Sequence, residues 1–77
     1  MLEYSLANLK ADLATNLRTI RLAKGYAQEK LAFDAGVDRT VVSKIERGVT
    51  NPSLEILLKL ANILNVQVSD LLNQKEL

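Results

Sequence analysis

The sequence predicts an all-α domain of five helices. Apolar residues recur at spacings of three and four in several stretches, the signature of one helical face. The alternating apolar and polar pattern of a half-buried strand is absent. Glycine or asparagine also follows the main periodic runs where a helix should stop.

Taken in order, Leu6, Leu9, Leu13, Leu17 and Ile20 share a face of the first helix, which starts between Ser5 and Leu13 and ends at Gly25. A short second helix, Gln28 to Ala35, turns Leu31, Ala32 and Ala35 inward and stops at Gly36. Val37 points inward, and Asp38 is suited to cap the third helix because its carboxylate accepts a backbone N–H. That helix, Arg39 to Arg47, has a narrow inner stripe of Val42 and Ile45, leaving Arg39, Thr40, Ser43, Lys44 and Arg47 outside. Gly48 closes it, and Val49 to Pro52 form a loop. Ser53 caps a fourth helix to about Leu64 with Leu54, Leu57, Leu58, Ala61 and Leu64 as expected core, and Asn65 ends it. Ser69 and Asp70 open a last short helix carrying Leu71 and Leu72.

A chain of 77 residues makes one domain whose core is marginal by itself. Nearly half the residues are apolar and Pro and Gly are scarce, which excludes a disordered or collagen-like chain. Without cysteine there is no disulfide and no thiolate metal site, so dimerisation is one of the remaining routes to extra stability. No His, no Gly-rich phosphate loop and no carboxylate cluster at ligand spacing is present, which argues against an enzyme and predicts no cofactor, no metal and no catalytic residue. No apolar run approaches a membrane span, and Glu3 and Asp12 stand where a signal peptide would be cationic and apolar. The expectation is a soluble cytoplasmic protein without a membrane partner. The net charge of +1 is uninformative, but residues 18–47 hold seven cations against four anions, a bias that fits a local phosphate-facing surface or a solvated charged face.

The informative feature is the pair of short helices joined at Gly36-Val37-Asp38. A helix-turn-helix needs a small residue at the closest approach, here Ala32, and a residue tolerating positive φ in the turn, here Gly36. It also needs apolar anchors to seat the second helix, and Val37, Val42 and Ile45 stand where they belong. The run Gln28-Glu29-Lys30-Leu31-Ala32, then Gly36-Val37, then Ser43 to Gly48, then Asn51-Pro52-Ser53-Leu54 and Leu57 to Leu71 resembles the lambda-repressor-like (Cro/C1, XRE) helix-turn-helix family over about residues 13–73. The opening Asp38-Arg39-Thr40 is also similar to that of restriction–modification controller proteins. Residues 1–12 then form an extension lengthening the first helix, and 74–77 a C-terminal tail.

The resemblance implies a transcriptional regulator that binds double-stranded DNA. Gln28 would touch a phosphate and brace the recognition helix at 39–47, while Arg39 and Thr40 would enter the major groove. Ser43 and Lys44 would extend the reading face, and Arg47, Thr50 and Asn51 would grip phosphates. Arg21 would pair with Glu46. Arg is the best reader of guanine because its planar fork meets O6 and N7 together. The pattern is broken at Ala27, where a capping Ser or Thr is usual, and at Val49, often a basic position. Ile56, Ile63, Val68 and Leu72 make the C-terminal segment more apolar than a small core requires. They predict a homodimer interface on the fourth and fifth helices, with a pseudo-palindromic operator as the target; alternatively they fill the monomer's own core. Leu2, Leu6 and Leu9 offer a competing interface. The alternative function is an antitoxin-type protein-binding module that also binds its own promoter, and contacts with a toxin or polymerase stay open.

Overall fold

The computed structural model describes residues 3–74, so the Leu2 side of the N-terminal expectation and residues 75–77 of the tail lie outside the described residues. The helices are α1 (Leu6–Ala23), α2 (Gln28–Ala35), α3 (Arg39–Glu46), α4 (Leu54–Leu64) and α5 (Val68–Leu72), and no strand occurs among the described residues.

Local chemistry sets most boundaries. Ser5 caps α1 by accepting the Asn8 N–H at 3.1 Å, Asp38 caps α3 by accepting that of Thr40 at 2.9 Å, and Ser53 caps α4 by accepting that of Ile56 at 3.1 Å. Helix α2 starts at Gln28, and Ala27 at its N-cap offers no side-chain cap. At its far end Gly36 sits at φ +70°, and the Val37 N–H reaches back to the Ala32 carbonyl at 3.0 Å. The end of α4 has the same geometry without glycine: Asn65 takes φ +58° and the Val66 N–H bonds the Ala61 carbonyl at 3.0 Å.

Three expectations change. The third helix, expected to run to Arg47, is helical only to Glu46, with Arg47 as its capping residue. Helix α5 opens at Val68 rather than at Ser69-Asp70, because the Asp70 carboxylate reaches back to accept the Gln67 N–H at 2.9 Å. In α4, Leu54 and Leu58 are exposed, and Leu60 joins Leu57, Ala61 and Leu64 in the core. Both sets satisfy helical spacing in so apolar a helix. What selects one is that α2 and α5 pack on the Leu57-Leu60-Leu64 side.

The core is Leu13 and Leu17 of α1, Leu31 and Ala32 of α2, Val42 and Ile45 of α3, the α4 stripe, and Leu71 of α5. Helix α1 packs on α3 and α5, and α2 on α3 and α4, so α3 is pressed inward by two neighbours and keeps its opposite face free. One polar side chain joins this core. Asn16 is buried, and its amide donates to the carbonyls of Leu71 (3.0 Å) and Asn73 (2.8 Å), tying the end of α5 to α1.

Candidate nucleic-acid interface

Helix α3 offers its surroundings two unlike faces. Val42 and Ile45 are buried, whereas Arg39, Thr40 and Lys44 are exposed and Ser43 is half-exposed. A helix of eight residues is too short to be stable alone. It is held here by apolar burial in the middle and by polar contacts at both ends.

The contact at the far end centres on Glu46, whose side chain is 3% exposed. Arg21 of α1, its own side chain 7% exposed, donates Nε to Glu46 Oε2 at 2.6 Å and Nη2 to Oε1 at 2.9 Å, a bidentate fork. The remaining Arg21 nitrogen, Nη1, donates to the Tyr26 carbonyl at 2.8 Å. The hydrogen bond from Arg21 to Glu46, and then the charge of Glu46, raise the Arg21 pKa above its already high ordinary value, so the guanidinium stays protonated. Gln28 of α2 donates its amide to Glu46 Oε1 at 3.1 Å, and exposed Arg18 approaches the same oxygen at 3.7 Å. Glu46 therefore joins α1, α2 and α3. Gln28, expected to touch a phosphate as well as brace the third helix, has its amide nitrogen engaged in the brace.

At the near end Asp38 caps α3 through the Thr40 N–H and also accepts the Thr40 hydroxyl at 2.8 Å. The backbone N–H is the larger cause and the hydroxyl the next in holding the Asp38 carboxyl below its ordinary range.

Between the starts of α2 and α3 lies a polar cleft of about 240 Å³ lined by Gln28, Glu29, Arg39, Thr40 and Ser43. It brings together four residues expected from the sequence and adds Glu29, whose only sequence signal is its place in the first turn of α2, where a carboxylate suits the helix dipole. Lys44 and Arg47 are exposed farther along α3, and Thr50 is half-buried in the loop after it. Asn51 lines a separate apolar groove with Leu9, Pro52 and Leu54. Among the described residues Arg18, Arg21, Lys30 and Lys59 have carboxylate partners, whereas Lys10, Lys24, Arg39, Lys44 and Arg47 have none. All three cations of α3 and its cap are thus available to an anion, as are Lys10 of α1 and Lys24 at its C-terminal cap.

The four residues expected at a dimer interface, Ile56, Ile63, Val68 and Leu72, are half-buried and pack against the core.

Comparison with known proteins adds to this geometry. A family model described as helix-turn-helix matches residues 17–71. The control protein C.BamHI of Bacillus amyloliquefaciens is 43% identical over 67 residues, which covers 86% of this chain and 83% of that protein. The HTH-type transcriptional regulator SinR of Bacillus licheniformis is 40% identical over 65 residues, 83% of this chain but 59% of that longer protein. Among solved structures, the restriction-modification controller protein C.AhdI from Aeromonas hydrophila aligns with a TM-score of 0.77 at 44% identity, covering 80% of this chain and 94% of that one. A structure of SinR in complex with DNA aligns with a TM-score of 0.75 at 39% identity, covering 79% of this chain and 98% of that one.

Proposed function

The chain belongs to the helix-turn-helix family of DNA-binding transcription regulators, and from that membership we propose that it binds a pseudo-palindromic operator as a homodimer, with α3 in the major groove. The observation that carries this reading is the division of α3: two side chains sealed in the core, and an outer face whose cations lack carboxylate partners. Arg39 and Thr40, at the start of the helix, read base edges. Ser43 and Lys44 extend that face. Arg47, Thr50 and Asn51 hold phosphates beside the groove, and the first backbone N–H groups of α2, left uncapped at Ala27, face a phosphate to which Gln28 can give only the amide N–H not used on Glu46.

A single eight-residue helix reads too few base pairs to select one site among a genome's competitors, which is why a second copy is needed. We assign the contact between copies to Ile56, Ile63, Val68 and Leu72, which are half-buried and so keep apolar surface for a partner. A two-fold axis there sets the two reading helices about 34 Å apart, in successive major grooves. Selection from a random DNA pool should yield one short sequence and its inverted repeat, with half-site centres separated by about 10 base pairs. Sedimentation should show twice the chain mass, and Ile63→Asp should shift it towards monomer while weakening operator binding. Recovery of unrelated sequences would overturn the operator. A protein monomeric at high micromolar concentration that still bound an inverted repeat would overturn the dimer.

A further inference from the structure

The cap of α3 contains a hydrogen bond whose direction chemistry dictates. Thr40 Oγ1 lies 2.8 Å from Asp38 Oδ1, and the Thr40 N–H donates to the same oxygen at 2.9 Å. An ionised carboxylate has acceptors only, so the proton between the two oxygens belongs to the Thr40 hydroxyl, which has no other. Asp38 is ionised at neutral pH, since those same two contacts hold its carboxyl below the ordinary range. Towards any other neighbour Thr40 therefore offers oxygen lone pairs and a methyl group. A hydroxyl with its proton free can donate or accept; this one only accepts.

The four bases differ in what they show such a group. In the major groove guanine presents acceptors only, N7 and O6, whereas adenine adds an amino donor to its N7, cytosine presents an amino donor, and thymine adds a methyl group to its O4. On the reading that the start of α3 enters the major groove, we propose that Asp38 sets the base preference of Thr40: with its one proton held by Asp38, Thr40 favours a base showing an amino or methyl group and rejects guanine. Arg39, one residue earlier, has donors only and favours guanine. Two adjacent residues at the head of the helix thus read with opposite sign. Asp38 acts as a positioning residue. The bond survives docking because a charge-assisted hydrogen bond is stronger than a neutral one, and moving the proton to a base would leave the carboxylate short of a donor as water is displaced.

The test reads base preference rather than affinity. The operator is first selected with the wild-type protein, and each half-site position is then varied through all four bases. Wild type should show one position where guanine weakens binding roughly tenfold or more. Asp38→Gly keeps a residue type that caps helices well and frees the hydroxyl to donate, so the guanine penalty at that position should fall several-fold. Adding Thr40→Val removes the freed hydroxyl and should restore the penalty. Preferences at the Arg39 position should stay unchanged in both proteins, which separates this effect from loss of fold. An unchanged guanine penalty in Asp38→Gly, a double variant that behaves like Asp38→Gly alone, or a wild-type preference for guanine where Thr40→Val acts would each overturn the proposal while leaving the DNA-binding reading intact. Failure of the wild type to select any common sequence would overturn both.

Discussion

Truncation of Glu46 should be among the most damaging single changes in this protein. Glu46→Ala removes both acceptors of the Arg21 fork and leaves a guanidinium buried with only the Tyr26 carbonyl as partner. Breaking a buried pair from one side costs about 3–5 kcal/mol. The Arg18 contact adds little, because that side chain is 62% exposed and screened by solvent. A chain of this length has a total stability of roughly 4–12 kcal/mol, so the loss is about a quarter of it or more. With a urea m-value of about 1 kcal/mol/M, the unfolding midpoint should fall by about 3–5 M. Converting both partners together, Arg21→Met with Glu46→Leu, leaves no unpaired charge and should recover most of the loss. Operator affinity should not recover with it, since the Gln28 brace is gone as well. The reasoning is refuted if urea unfolding followed by circular dichroism gives a loss below about 1 kcal/mol for Glu46→Ala, the range of an exposed pair.

Arg39→Ala should weaken binding to the selected operator by about 1–3 kcal/mol and relax preference at one base pair per half-site, measured by competition binding. Arg47→Ala should instead weaken all sequences alike and lower the salt dependence by about one counterion per subunit, read from the slope of log K against log salt concentration. Gly36→Ala should cost about 1–2 kcal/mol from backbone strain alone, since no atom lies within 4 Å of the added methyl, and Gly36→Asn should cost less, both measured by urea unfolding. Side-chain NMR should find the Asp38 carboxyl titrating below the ordinary carboxylate range. Because the folded value is the lower one, its contribution to stability is present at neutral pH and is lost as the pH falls through that depressed value. Thr40→Val should bring the titration only part of the way back, because the backbone N–H is the larger cause.

The bounds of α2 and α4 were legible because their ends carry residues with one local job. Gly36 and Asn65 accept positive φ, and Ser53 offers a short side-chain oxygen at a helix start. The inner face of α3 was legible because the helix has only three apolar residues, Val41, Val42 and Ile45, which lie together on one side with Val41 half-buried at its edge. The inner face of α4 was not, since Leu54 and Leu60 carry the same chemistry and only the positions of α2 and α5 choose between them. Asn16 was illegible for a related reason. Its partners, the carbonyls of Leu71 and Asn73, are backbone atoms 55 and 57 residues away, and nothing in a sequence marks which carbonyl a distant amide will meet. The residues expected at the reading surface split similarly. Those at the two helix starts converge on one cleft, whereas Asn51, placed by the course of the loop, lines another groove.

The way α3 is fixed bears on how its outer face is presented. Two buried aliphatic side chains, Val42 and Ile45, supply most of its apolar burial, and such a contact resists lifting the helix off the core better than it resists rotation about the helix axis. Rotation is resisted by directional bonds, which weaken steeply with angle. These lie at the two ends: Asp38 with Thr40 at the start, and Glu46 with Arg21 and Gln28 in the last turn. The outer residues between them need make no structural contact of their own. Arg39 and Lys44 are therefore free to vary in type without loss of the fold, while the direction in which they project is set by residues that face inward or cap. On the proposed function, a change of sequence preference then needs substitutions only on the outer face or at its cap Asp38, whereas a change at Glu46 alters stability and the projection of every outer residue together.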